Sequence, residues 1–573
     1  MGLLISNKLN NSKELIKIEE HFKLIAGPGA GKTTFLINHI KNILANSKRL
    51  SKVKKIACIT YTNTGVETIL SRLEDSLDNV EVSTIHSFLY KNVIKPYLWV
   101  LGDEFKFGYE NINGHDEIIP THSLLERWIK ETKQNYLFGK DKELIKALSN
   151  LRWEMNNEEF KIVFSKANCN RAGDYRIKSS SLFDYKKICW ENGLISHDDV
   201  LYLSYRILDK EEGVLKILRA KFPYLIIDEF QDTNPIQTYM ISKLAEKEMI
   251  VGVIGDEWQS IYEFQGAKVE EFENFNLDGI KLYKLENNHR STQEIIDVLN
   301  DIRNDEDFKQ VSCENKSGDK PMILVGNFFK AYKRAANICE NENIYILTRT
   351  NSMANKFKYN LNDDFGKFDF EKSPEELLLN LRTFDGERGK LILNIIYGIE
   401  YCKQGKLKEA IKYIKKAYRK LEEFDNRDAL RILYNLTSKY DDFIELNIEE
   451  FYMRHVYNFY KNVSKISKGK TKDIYSILTY KKVAVAIKLN DESSFSKTIH
   501  KSKGDEFENV LVVIDEKERD LDFLLNPNKN KEDNRIYYVA FSRAKKRLFI
   551  NIPKLNSDLY EKLDKFKIEY LDL

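Results

Sequence analysis

FKLIAGPGAGKTT, residues Phe22–Thr34, decides the fold. Residues 22–26 form an apolar run of strand length. Residues 27–31 are a glycine-rich turn, and from Phe35 to about Leu44 the apolar residues recur at helical spacing. Strand, glycine-rich turn and helix, in that order, is the setting a phosphate-binding loop requires. Gly27, Gly29 and Gly31, with Pro28 and Ala30 between them, let backbone N–H groups converge on phosphate oxygens. The helix N-terminus adds a favourable partial charge. The pattern opens on Ala26, where glycine is usual. Lys32 is expected to reach the β- and γ-phosphates of ATP and Thr33 to ligate Mg2+, with Thr34 completing the loop.

The next informative stretch is YLIIDEFQD, Tyr224–Asp232. Four apolar residues make a buried strand, and Asp228 and Glu229 sit at its C-terminal end, where parallel α/β sheets place their ligands. Alone, such a run is often only a strand leaving the core. Downstream of a phosphate loop it reads as the second half of a nucleotide-hydrolysis site. Asp228 then serves Mg2+, through water, and Glu229 orients and activates the attacking water.

Composition narrows the class. At 573 residues the chain is long enough for three or four domains. Basic and acidic residues nearly balance, 91 against 88, so any nucleic-acid track has to be local. Six scattered cysteines without a CxxC pair fit a reducing compartment and no zinc or iron–sulfur site. No signal pattern opens the chain and no run of 18 apolar residues occurs, so a cytoplasmic protein without membrane association is expected.

Further segments give the hydrolysis site a context: ITYTN (Ile59–Asn63), STIHSF (Ser83–Phe88), DEFQDTN (Asp228–Asn234), GDEWQSIYEFQGA (Gly255–Ala267), LENNHRST (Leu285–Thr292), TIHKSKGDEF (Thr498–Phe507) and YYVAFSRAK (Tyr537–Lys545). With the phosphate loop they make eight segments in the order of the UvrD/Rep group of superfamily 1 DNA helicases, which the chain resembles.

The resemblance implies an ATP-dependent translocase or helicase working 3′-to-5′ on single-stranded DNA and single-strand/duplex junctions. It implies that Arg290 and Arg543 stabilise the γ-phosphoryl transition state and that Gln259 senses the γ-phosphate. Glu506 would hold the ribose, and His289 stands where a tyrosine stacks on the base. Phe264 and Tyr61 match stacking aromatics, with Tyr262 nearby, and His86, His500 and Arg349 match positions that touch the strand. A sequence-tolerant grip of this kind needs flat rings and local cations.

Besides His289, the chain departs from the family in three places. No Gln occurs in the first 25 residues to read the adenine edge, with Lys13 near its expected place. Gln265 replaces a common arginine. No duplex-contacting Gly-Ile-Gly loop is found, and Gly398-Ile399-Glu400 is a poor substitute.

Motif positions imply two parallel α/β motor domains of the RecA type with mainly helical insertions: 1A at 1–88 and 195–290, 1B at 89–194, 2A at 291–365 and 490–573, and 2B at 366–489. Helical periodicity within 2B is visible at Ile411, Ile414 and Ala417-Tyr418. The lysine run Lys461 to Lys472 reads as a solvated face, with duplex contact as the alternative. The chain ends soon after the YYVAFSRAK segment, leaving no room for a C-terminal nuclease domain. The alternative function is a DNA-stimulated ATPase acting as the sensor subunit of an anti-phage complex beside a separate endonuclease. The chain loosely resembles the UvrD-like subunits of Gabija systems.

Overall fold

The computed structural model describes residues 6–571 apart from 74–77, 113, 116–117, 150, 157, 166–168, 341, 351–352, 355–356, 358–376, 380, 383–384, 419–423, 458–464, 467–468, 490–494, 515–520 and 556–562. Part of the lysine run between Lys461 and Lys472 therefore lies outside the described residues.

The chain starts with β1 (Ser6–Leu9), β2 (Phe22–Ala26), β3 (Ile56–Thr60) and β4 (Val80–Thr84). A mainly helical stretch follows, carrying two antiparallel hairpins: β5 (Leu151–Asn156) with β6 (Glu159–Phe164), and β7 (Arg171–Ala172) with β8 (Tyr175–Arg176). The chain then returns with β9 (Tyr224–Ile227), β10 (Ile250–Gly255) and β11 (Lys281–Leu285). These seven strands form one parallel sheet in the order β1-β11-β2-β10-β9-β3-β4. Its neighbouring strands β3 and β9 are buried along their whole length. Both faces of a parallel sheet are covered, so such strands read as continuous apolar runs.

A short parallel pair, β12 (Asn287–Asn288) and β13 (Val311–Ser312), leads into the second sheet. This sheet contains β14 (Met322–Val325), β15 (Ile344–Thr348), β16 (Ser496–Thr498), β17 (Phe507–Val513), β18 (Ala544–Ile552) and β19 (Lys567–Tyr570). It too is parallel, in the order β16-β15-β17-β18-β14-β19.

Between β15 and β16 the described residues from Gly386 to Leu489 are helical, around a core that includes Ile396, Ile399, Ile414, Leu433, Phe443 and Tyr480. The expected periodicity holds on the Leu407–Ala417 helix: Ile414 is buried and Ile411 half-buried, and Tyr418 just beyond it is buried. Gly398 lies in mid-helix, where a Cβ would stand 2.7 Å from the Ile414 side chain. Glu400 is buried and accepts from the Tyr440 and Tyr480 hydroxyls at 3.1 and 2.9 Å. This segment is core and presents no loop to a duplex.

No helix among the described residues is long and apolar enough to cross a membrane. The segments singled out in the sequence fall at strand ends: Gly27 follows β2, Asp228 follows β9, Asp256 follows β10, Arg349 follows β15, and Arg543 precedes β18.

Candidate nucleotide and strand site

The phosphate loop is bent by two left-handed glycines, Gly29 (φ 70°) and Gly31 (φ 84°), so its backbone curls over the start of the Lys32–Asn46 helix. A Cβ at Gly29 would meet Asn288 Oδ1 at 2.5 Å and Arg290 Cβ at 2.7 Å. The loop is held from outside. Asn288 Nδ2 and Gln310 Nε2 each donate to the Pro28 carbonyl at 3.0 Å, and the His289 N–H donates to the Gly29 carbonyl at 2.9 Å. The His289 side chain is exposed beside the loop.

Lys32 Nζ is buried without a hydrogen-bond partner among the described residues, and Glu229 Oε1 lies 3.9 Å away. A buried ammonium held this way is costly unless an anion completes it. Its surroundings therefore fit a phosphate.

Asp228 follows β9 directly and donates its N–H to the Ile59 carbonyl at 2.8 Å. Glu229 has a left-handed backbone (φ 54°), and Gln231 Nε2 donates to its carboxylate. Burial and then the charge of Glu229 push the Asp228 carboxyl well above its usual range. For Glu229, burial acts upward, but Lys32, Lys503, Gln231 and Arg543 together hold it low. A buried carboxylate raised in this way is what a divalent cation would relieve, so Asp228 fits the ligand role, with Thr33 on the adjoining loop.

Two arginines stand close to this site: Arg543 acts on Glu229, and Arg290 lies against the phosphate loop at Gly29. Arg290 donates to the Ser542 carbonyl at 2.9 Å and to Glu506 Oε1 at 2.7 Å, while its Nε is buried and without a hydrogen-bond partner. Arg543 is buried, held by the carbonyls of Val539 (3.1 Å) and Asp505 (3.2 Å) and by Ser542 Oγ (2.9 Å). Burial and then Arg290 push Arg543 down to about 9, against the upward pull of Glu229. It stays cationic at neutral pH.

The structure thus brings Lys32, Asp228, Glu229, Arg290, Arg543 and Glu506 together around the loop 26–34. Gln259 sits one layer back, its amide donating to Asp256 Oδ2 at 2.8 Å. Arg303 grips the other oxygen of Asp256 at 2.7 Å.

The candidate strand track begins next to this layer. Tyr61 and Tyr262 stack with centroids 4.6 Å apart, and Phe264 meets His500 edge-on at 5.3 Å. Phe264 is 51% exposed. The His500 ring reaches the Ile261 carbonyl at 3.1 Å. Arg349 is close enough to influence His500 and is ion-paired with Asp533. His86 lies apart from these rings. It is half-buried against His197 and His115, with centroids at 5.1 and 6.5 Å.

The UvrD/REP helicase N-terminal domain family matches residues 8–279. The UvrD-like helicase C-terminal domain family matches residues 363–554. The chain belongs to the UvrD/REP helicase family. A "Probable DNA helicase II homolog" of Mycoplasma capricolum is 24% identical over 556 residues, 92% of this chain and 72% of that protein. The ATP-dependent DNA helicase PcrA of Bacillus subtilis is 28% identical over 309 residues, 52% of this chain and 38% of PcrA. The Gabija protein GajB of Bacillus cereus is 25% identical over 459 residues, 69% of this chain and 66% of GajB.

Several residues of this UvrD/REP chain that bear on the site escaped sequence reasoning. Lys503 Nζ pairs with Asp232 Oδ2 at 2.5 Å and donates to the Gln259 carbonyl at 2.7 Å, both side chains being buried. It sits inside TIHKSKGDEF but carries no signal beyond its place there. Asn288 lies inside LENNHRST, and its Oδ1 accepts from the Arg290 and Ser291 N–H groups at 2.8 and 3.0 Å. Gln310 has no local signal at all; only the folded chain puts it against Gly27.

Lys503→Met is expected to destabilise the protein by about 3–5 kcal/mol, because it leaves Asp232 buried and uncompensated. Asp232→Asn combined with Lys503→Met should recover most of that loss. Urea unfolding of the two variants checks this, and a single variant as stable as the parent would refute it.

Proposed function

We propose that the chain is an ATP-dependent DNA helicase that couples hydrolysis to 3′-to-5′ movement on single-stranded DNA. The carrying observation is the buried Lys32 ammonium, without a hydrogen-bond partner, with Glu229 beside it, Arg543 acting on the same carboxylate and Arg290 against the phosphate loop at Gly29. Residues 1–88 with 195–290, and 291–365 with 490–573, are the two motor lobes (1A and 2A). Residues 89–194 and 366–489 are the insertions (1B and 2B).

In this reading Lys32 and the loop N–H groups bind the phosphates of ATP, and Glu229 accepts the proton of the attacking water. Arg290 and Arg543 stabilise charge spreading over the γ-phosphate oxygens. Mg2+, held through Asp228 and Thr33, would supply neutralisation of the β- and γ-oxygens. Glu506 faces the ribose once Arg290 leaves it, and the exposed His289 ring flanks the base. Gln259 and Lys503 connect the hydrolytic side with the loop Ser260–Gln265, on which Tyr262 and Phe264 stand. A change in the cleft therefore reaches the rings that grip the strand. The compartment is the cytoplasm.

The test is phosphate release with and without single-stranded DNA, together with displacement of a strand from forks tailed at either end. Strong stimulation with opening of the 3′-tailed fork alone is expected. Phe264→Ala should weaken single-strand binding about tenfold, the cost of one lost base–aromatic stack. Fluorescence anisotropy reads it, and unchanged affinity would remove Phe264 from the track.

A second reading is favoured by the buried position of Gly398–Glu400, which leaves no candidate for a duplex-contacting loop there. The chain would then be the DNA-stimulated sensor ATPase of a defence complex acting with an endonuclease subunit, as its relation to GajB allows. Stimulated ATPase without opening of any fork, and co-purification with a nuclease, would select it.

A further inference from the structure

A second surface in the first insertion repeats the chemistry of the strand track. The turn 133–140 meets the β7–β8 hairpin there. Tyr136, Phe138 and Tyr175 are 40%, 37% and 44% exposed, and the Tyr136 and Tyr175 rings lie 5.7 Å apart. The two segments are locked together. Tyr136 donates through its hydroxyl to the Arg176 carbonyl at 3.3 Å, and buried Gln134 accepts from the Lys178 N–H at 2.9 Å.

The hairpin register sets Arg171 directly opposite Arg176. Like charges facing each other across a ladder are destabilising, and neither arginine has an ion-pair partner among the described residues. The same holds for the neighbouring Lys133, Lys140 and Lys178. Asp174 is the only acidic residue in 133–140 and 171–178. The Lys130 ammonium lies 6.0 Å from the Phe138 ring centroid and adds a further cation, and a repelling arginine pair beside three part-exposed flat rings is relieved by a ligand that is both polyanionic and planar.

We propose that this face is an accessory contact for single-stranded DNA, with bases resting on Tyr136, Phe138 and Tyr175 and phosphates on Arg171 and Arg176. The proposal rests on the DNA-motor reading and extends its strand path onto the insertion. That insertion is already joined to the stacking loop: Arg152, on β5, donates to the Phe264 carbonyl at 3.1 Å. Exposed rings select unpaired bases, since a duplex keeps its base faces stacked.

The experiment measures anisotropy of the full chain with oligo-dT of about 8 and about 30 nucleotides, lengths on either side of one single-strand site, and with a blunt duplex. The parent should bind the longer strand more tightly. Tyr136→Ala with Tyr175→Ala should weaken long-strand binding about tenfold or more, and Tyr136→Phe with Tyr175→Phe should retain it. Arg171→Ala with Arg176→Ala should flatten the salt dependence by about 1.4, two contacts at about 0.7 each. Thermal unfolding confirms that the variants are folded. The inference fails by itself if the parent binds the long strand and the alanine variants match it in affinity and slope, or if they lose only duplex binding. A parent that binds neither length defeats the motor reading and this one with it.

Discussion

Lys32→Ala is expected to cut DNA-stimulated ATP turnover by about a thousandfold, with no loss of fold. The magnitude follows from removing a preorganised charge from a water-poor site, where one such donor contributes about 10²–10³ in rate. Lys32 also acts on Glu229, so its loss removes both a phosphate ligand and part of what keeps that carboxylate ionised. The stability side is unusual. The ammonium is buried without a hydrogen-bond acceptor, which costs the folded state. Its removal also leaves Asp228 and Glu229 less compensated, so the two effects oppose each other and the alanine variant should melt close to the parent. Phosphate release at saturating single-stranded DNA, paired with a melting curve, reads both. Retention of more than about a tenth of the turnover would exclude Lys32 from the phosphate site.

Arg543→Ala is expected to be comparably severe but different in kind. An arginine supplied to the γ-phosphoryl group contributes about 10³–10⁵ in kcat. Because it acts on charge that develops in the transition state, nucleotide affinity should change little. Arg543→Lys should not rescue. The guanidinium is aimed by three hydrogen bonds, to Val539, Asp505 and Ser542, which a single ammonium cannot reproduce. Single-turnover hydrolysis beside fluorescent-nucleotide binding separates the two effects. A kcat loss below about tenfold would show that Arg543 is only a structural arginine in the core of the second lobe.

Much of this was legible in the sequence, because the segments that bind phosphate and position its attackers are short and contiguous. The β2 run, the glycines and Lys32 announce a loop whose shape is set locally, and four apolar residues before Asp228 announce a strand. What stayed hidden is long-range pairing. Gln310 reaches Pro28 across 282 residues of chain, and Lys503 reaches Asp232 across 271. Neither has a pattern of its own, since an isolated Gln or Lys is usually a surface residue. The ring neighbours of His86, His115 and His197, were hidden for the same reason, since they come from segments about 30 and 110 residues further along the chain. Tyr136, Tyr175 and the facing arginines were equally invisible, because the two-residue strands that align them are too short to show periodicity.

Arg535 has a practical consequence for anyone who would dissect the molecule. It is buried on the helix Glu532–Phe541, yet it donates to the Ser260 carbonyl at 2.6 Å and to Glu263 at 2.8 Å, on the far side of the chain's midpoint. Its neighbours His500 and Lys503 serve Ile261 and Asp232 in the same way. An N-terminal fragment cut after the first sheet would carry a ring of orphaned acceptors where the C-terminal half had been. Such a fragment should be sticky and poorly ordered at the loop an experimenter would most want to study, so the two halves are best examined as one polypeptide.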